Sequence, residues 1–307
     1  MIEIFLKIVP FFLLIGTGYG AARSGLFRGE AVAHLTKFVF YFALSAMLFN
    51  FASTLPFEQI FNPELALAYL YATGIVYVLV TIVALRRGTG FAEAAVEAQC
   101  GVIGNVGFLG LPMLVILLGP MAAGPVMMML AVDLIVFGSL IVAIIVASRE
   151  GRLRLSVFAS VAMGLVKNPM IMSIAVGLLW SYLALPIPGA GQEFLDLLGG
   201  AATPCALFAI GASLADKSAE RFSVALWLSS AKLILHPLAV AIFAILVFQL
   251  PGPIVAVMIA SAAMPVAGNI FIIAQHYGVA PMRVSSAILV STVISIVTLS
   301  LAIGLVS

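Results

Sequence analysis

The sequence predicts an all-α polytopic membrane protein: ten transmembrane helices in two inverted five-helix repeats, with the fourth and ninth helices broken where they cross. Three observations carry that prediction. Of the 307 residues 64% are hydrophobic and only 8% charged, with a mean hydropathy of +1.26, whereas a soluble domain carries about 25% charge. Two long apolar runs are interrupted at their centres by Gly, Pro and Asn. Finally, eleven of the 14 Lys and Arg residues fall in alternate connections along the chain.

About 20 apolar residues at about 1.5 Å each cross an about 30 Å hydrocarbon core. With Gly, Pro and charge clusters as punctuation, the spans fall at roughly 3–22, 33–55, 64–85, 91–118, 121–147, 157–183, 194–214, 222–248, 252–277 and 282–305. The first carries Glu3, has no basic segment before its apolar stretch and is followed by further spans, so it reads as a span and not as a cleaved signal. Pro186 and Pro188 end the sixth, and Thr203-Pro204 interrupts the seventh. Cys100 and Cys205 lie inside apolar runs without metal-ligand or CxxC spacing, which suits buried packing. Gly16 and Gly20 have the GxxxG spacing of close helix packing.

The connections after odd-numbered spans carry Arg23 and Arg28; Arg86 and Arg87; Arg149, Arg152, Arg154 and Lys167; Lys217 and Arg221; and Arg283. Those after even-numbered spans carry none. The positive-inside rule then places the odd connections in the cytoplasm and both termini outside. A net charge of +2, spread over short loops, gives no reason to expect a nucleic-acid partner.

The fourth span breaks at Gly104-Asn105-Val106-Gly107-Phe108-Leu109-Gly110-Leu111-Pro112, and the ninth at Met264-Pro265-Val266-Ala267-Gly268-Asn269. Each Gly costs roughly 1 kcal/mol in a helix interior, and Pro112 removes a hydrogen bond and clashes with the preceding turn. Non-helical backbone at membrane depth is tolerated only where protein or a wet cavity covers it. The Gly-Asn dipeptide recurs at a separation of 164 residues, and Phe42–Met47 resembles Cys205–Ile210 at nearly the same offset. The chain therefore divides into residues 1–150 and 151–307, two repeats of five spans inserted in opposite orientation. Paired broken helices at matching positions mark a transporter's binding site.

Candidate binding residues follow from helix-end chemistry. The half-helices after Asn105 and Asn269 would bring free N–H groups and positive dipole ends to the midplane, an anion site made without a charged side chain. The Asn105 and Asn269 carboxamides, with the amides of Val106, Gly107, Ile270 and Phe271 and with Gly268 beside them, are the expected carboxylate contacts. Alternatively each Asn only caps its own half-helix. Pro112 and Pro265 would hold the breaks open. Glu97 and Gln99 are candidates for coupling to a proton or to sodium, or else line a hydrated vestibule. Asp133 in the fifth span, and Lys232 with His236 one turn apart in the eighth, are expensive in a membrane interior and are candidates for a structural pair or for ion coupling. His276 reads as interfacial. Ser229-Ser230-Ala231-Lys232 has SxxK spacing without the companion motifs of acyl enzymes, and no P-loop, HExxH or nucleotide fingerprint is present. No metal site, cofactor or enzymatic activity is expected.

Four stretches in order resemble one family: Asn105 to Pro112, Lys167-Asn168-Pro169 opening the sixth span, Ala206-Leu207-Phe208-Ala209-Ile210-Gly211 in the seventh, and Pro265 to Gly278 with Asn269 and Tyr277-Gly278. Over nearly its whole length the chain resembles the auxin efflux carrier family. The resemblance implies ten helices in inverted repeats, similar to the bile acid:sodium symporters. Helices one, two, six and seven would form a scaffold, and helices three to five with eight to ten a transport unit moving as an elevator. Bacterial members are similar to malonate and malate permeases and plant members export auxin, so the implied substrate is a small organic anion, with H+ or Na+ as a candidate coupling ion. Ser45 stands where the family often has Pro, and the long central loop of plant members is absent. Chain size and family imply the cell inner membrane, with a homodimer among the expected assemblies. A sodium-coupled bile-acid-type symporter, and a membrane receptor that binds a carboxylate without translocating it, are the competing readings.

Overall fold

Asn62-Pro63-Glu64 shows how the sequence starts a membrane helix. The Asn62 carboxamide accepts from Leu65 N at 3.0 Å, Pro63 occupies the first turn where no N–H is needed, Glu64 faces the positive dipole end, and Arg86 closes the last turn. The 24 residues of Pro63–Arg86 are long enough to cross a hydrocarbon core.

The computed structural model describes residues 2–27, 29–150, 162–215 and 222–306. Arg28, Arg152, Arg154, Lys217, Arg221, residues 157–161 of the expected sixth span and the Arg149 side chain lie outside what is described. In order, the main helices are α1 (Ile2–Arg23), α2 (Glu30–Thr54), α3 (Pro63–Arg86), α4 (Phe91–Val102), α5 (Val106–Leu118), α6 (Pro120–Ser148), α7 (Pro169–Tyr182), α8 (Gly189–Leu214), α9 (Phe222–Val247), α10 (Gly252–Ala262), α11 (Asn269–His276) and α12 (Pro281–Val306). Six of these, α2, α3, α6, α8, α9 and α12, are long and apolar enough to cross a membrane, and α5, α7 and α10 are shorter apolar helices. Among the described residues there is no β-strand, only an isolated bridge between Gly104 and Val266.

The polar pattern is inside-out relative to a soluble protein. On α3 the face carrying Tyr69, Thr73 and Tyr77 is buried, while Leu67, Tyr71, Ile75, Val78 and Ile82 are exposed. Backbone hydrogen bonds are met within the helices, so an apolar outer face is what a lipid environment requires.

Two packing groups are evident. Helix α1 lies along the Ala202–Leu214 part of α8, and α7 lies along the Leu44–Thr54 part of α2. Helices α3 and α4 pack together, as do Phe222–Ser230 of α9 with α12, and α10 with both His236–Ile242 and α12. The α1–α8 contact is glycine-dependent at different positions from the expected GxxxG pair. A Cβ on Gly18 would collide with the Phe208 carbonyl and one on Gly211 with the Ile15 carbonyl, whereas Gly16 and Gly20 face nothing within 4 Å. Ser45, in place of a proline, follows a π turn at Val39–Ala43, and its hydroxyl donates to the Phe40 carbonyl at 2.9 Å. The helix is irregular there without a proline.

The expected sixth span is interrupted. Residues 162–167 are helical and α7 begins afresh at Pro169, with the Asn168 side chain accepting from Met170 N at 3.0 Å. The seventh begins earlier than expected, at Gly189, and turns at Ala201 before continuing through Pro204.

Candidate functional site

Helix α4 ends because Ile103 turns extended after Val102, and α5 starts after Asn105 as a π turn at Val106–Gly110. Helix α10 ends at Ala262 and α11 starts at Asn269. The two breaks lie against one another. Asn105 N donates to the Pro265 carbonyl at 2.8 Å, Ala267 N donates to the Ile103 carbonyl at 3.1 Å, and Val266 N donates to Ser291 Oγ on α12 at 3.0 Å. Each break thus supplies partners for the other's backbone, which is how non-helical chain survives among apolar helices. Four helix ends converge: the C-termini of α4 and α10 and the N-termini of α5 and α11.

The expected contact residues all fall at this junction. Asn105, Val106, Gly107, Pro112, Pro265 and Ile270 are buried, Asn269 is half-buried and Gly268 is exposed. Neither Asn105 nor Asn269 acts as a side-chain cap of its half-helix, and Asn269 Oδ1 is buried without a hydrogen-bond partner. The capping alternative therefore leaves both carboxamides unexplained. One expected donor is already engaged: Phe271 N bonds the Gly268 carbonyl at 3.1 Å. A Cβ on Gly107 would come within 2.9 Å of the Met170 methyl, so the first break looks onto the start of α7.

Behind the junction lies a buried polar chain. Lys232 and His236 are fully buried and Asp133 nearly so. Asp133 opens a π turn at Asp133–Phe137, and Lys232 is the second residue of another at Ala231–Leu235. The Lys232 ammonium donates to the Ala262 carbonyl at the end of α10 and lies 3.1 Å from His236 Nδ1. His236 Nε2 is 3.0 Å from Thr73 Oγ1, and the Tyr69 hydroxyl, one turn from Thr73 on α3, donates to Asp133 Oδ1 at 2.7 Å. The Tyr69 and His236 rings are 5.6 Å apart. No direct ion pair joins Asp133 to Lys232 among the described residues, and Asp133 Oδ2 has no hydrogen-bond partner. The sequence reading did not single out Tyr69 and Thr73. Two hydrogen-bonding side chains at i, i+4 in an apolar span are the signal that could have found them.

Glu97 has a different setting from the one expected. Its buried carboxylate is bound by Arg87 and by Arg283 Nη1 at 2.9 Å, and Arg283 also reaches Glu93 at 3.0 Å. This places the connections after α3 and after α11 at the same end of the molecule. Gln99 is buried, with its side-chain oxygen unpartnered. His276 stacks edge-on against Tyr277 at the C-terminal end of α11.

Paired broken helices among long apolar ones are the architecture of a transporter, and comparison with known proteins agrees. The family model described as membrane transport protein matches residues 3–303. The chain belongs to the auxin efflux carrier family of membrane transport proteins. A relative from Rhizobium meliloti (strain 1021), named "Putative malonate transporter", is 33% identical over 308 residues, covering 98% of this chain and 95% of the other. For this family member, a multi-pass transmembrane transport protein, the junction of the two breaks is the candidate site.

Proposed function

We propose that this auxin efflux carrier family member moves small organic anions, of the malonate or malate dicarboxylate type or the auxin-like monocarboxylate type, through a site at the junction of the α4–α5 and α10–α11 breaks. The observation that carries the reading is the convergence of two half-helix N-termini at a place where two asparagine carboxamides have no capping role. Asn105 and Asn269 contact the carboxylate, with the amides of Val106, Gly107 and Ile270. Pro112 and Pro265 keep the breaks from closing into helix, and Gly268 leaves the second break accessible. The name of the Rhizobium relative supports a dicarboxylate of the malonate type.

The mechanism is alternating access. Helices α1, α2, α7 and α8 act as scaffold and the rest as the moving unit, an assignment supported by the two packing groups. The repeats 1–150 and 151–307 are its two inverted halves, and the protein works in the cell inner membrane with both termini outside. Substrate drives the movement only through its different free energies in the two states, so direction follows the anion gradient, the membrane potential and any coupled ion.

Purified protein in proteoliposomes, loaded against radiolabelled malonate, malate and indole acetate with and without sodium and pH gradients, tests this. Uptake of at least one anion above protein-free vesicles is expected. Thermal stabilisation by a carboxylate without any flux would turn the reading to a receptor, and neither binding nor flux would overturn it.

A further inference from the structure

The two breaks are not equally open. At the second, Gly268 is exposed and Asn269 half-buried, whereas at the first Asn105, Val106 and Gly107 are all buried. What covers the first break comes from the other packing group. Helix α7 lies along α2, and its start is fixed twice: Pro169 fills the first turn, and the Asn168 carboxamide accepts from Met170 N at 3.0 Å. The Met170 side chain therefore leaves a well-fixed backbone. It is 3% exposed, and its methyl end lies over the α-carbon of Gly107, where an added Cβ would come within 2.9 Å of it. Leu130 of α6 is the next neighbour, with both Cδ atoms 3.6 Å from the same point. The Ala202–Leu214 part of α8 packs against Val106–Gly110 as well.

The cover is apolar and close-packed. Where a single methyl on Gly107 would press against Met170, a bicyclic ring has no room unless the wall is cut back. An unbranched thioether can still shift by a rotamer to fit a short aliphatic body. With α1, α2, α7 and α8 as scaffold, Met170 belongs to the scaffold while Gly107 and Leu130 belong to the moving unit. Alternating access must part them, so the contact shapes the site in one state and releases it in the other.

We propose that Met170 is the specificity wall of the junction: it limits the body of an anion held at Asn105 and Gly107 to a short aliphatic chain, so the site takes carboxylates of malonate or malate size and rejects the indole ring of an auxin-like one. The inference rests on the reading of the junction as a carboxylate site and narrows its substrate class. The asparagines and the half-helix amides hold the carboxylate; Met170 sets what can be attached to it.

The test is affinity for malonate, malate and indole acetate, read by thermal-shift titration of the purified protein in detergent. The deciding quantity is the ratio of malonate to indole acetate affinity. The wild type should favour malonate by about tenfold or more, which pocket size alone can supply. Met170→Ala should narrow that ratio by roughly tenfold, through tighter binding of indole acetate, and Met170→Leu, of similar volume, should keep the wild-type ratio. A Met170 that only packs would lower the melting temperature of unliganded Met170→Ala and leave the ratio where it was. That result overturns the proposal, as does a wild type that prefers indole acetate. Should Met170→Ala fail to fold, Met170→Val, which removes less, reads the same ratio. The double variant Asn105→Ala with Asn269→Ala tells two failures apart. Normal binding by it would remove the carboxylate site itself, whereas its loss of binding beside an unchanged ratio in Met170→Ala would remove only the role of Met170.

Discussion

Glu97 and Lys232 are both buried charges on apolar helices, and the protein treats them in opposite ways. Glu97 is met by two guanidinium groups from different connections, one of them a third exposed. Lys232 is met by a carbonyl and an imidazole, while the nearby Asp133 is held by a tyrosine hydroxyl. A charge fully paired inside the protein clamps elements together, here the ends of α3, α4 and α12. At Lys232 the opposite charge, Asp133, is close enough to interact electrostatically but is not in contact, and neutral hydrogen-bonding groups stand between them. The contrast separates a directly paired cluster from one bridged by neutral groups, which burial alone does not do, since both side chains are almost completely enclosed.

Four substitutions break or sharpen that contrast. Glu97→Gln leaves Arg87 without its carboxylate and Arg283 with only the more exposed Glu93, and the cost should be about 3 kcal/mol, the low end for a broken buried pair. It should read as a clear fall in melting temperature, and an unchanged melting temperature would mean the cluster is no clamp. Tyr69→Phe takes from Asp133 the hydroxyl bonded to Oδ1, and a hydrogen bond to a charged group is worth about 2 kcal/mol. Here the melting curve should fall again, by less than for Glu97→Gln. In Thr73→Val the His236 Nε2–H loses its acceptor, at about 1 kcal/mol. The melting temperature should fall by less than in Tyr69→Phe, and no change would mean that the contact adds nothing to stability. Finally, Asn50 joins Asp196 at 2.8 Å and Gln192 at 2.9 Å where the pairs are exposed or partly so. Asn50→Ala should therefore cost under about 1 kcal/mol, and a larger loss would show that exposed polar clusters carry more of the fold than the contrast allows.

The two breaks were legible because Gly, Pro and Asn in the middle of an otherwise uninterrupted apolar run leave little alternative to a break. What the sequence could not show is that Asn105 N finds Pro265 O and Ala267 N finds Ile103 O, since such pairing needs three-dimensional proximity between distant segments. The same limit explains Gly16 and Gly20. GxxxG spacing identifies a face with small residues, but the face used is set by the partner, and Gly211 on α8 meets the turn around Ile15 and Gly18 instead. Asn168-Pro169 has the composition of a helix start, but the apolar run from 157 that passes through it gives no sign of two separate helices. The Asn168 cap shows a fresh helix start at that point. The helix that carries Glu97 gives no sign of its partners, and the positions of Arg87 and Arg283 in the sequence speak only to topology. Nothing in one sequence joins a loop cation to a carboxylate in another helix.

The most direct measurement is malonate flux into proteoliposomes by wild type and by Asn105→Ala with Asn269→Ala, both verified as folded and equally reconstituted. The paired breaks predict transport by the wild type and a loss of about a hundredfold or more in the double variant, from two carboxylate hydrogen bonds of roughly 1.5 kcal/mol each. Equal flux by the two proteins would contradict the assignment of the substrate site to the junction of the breaks.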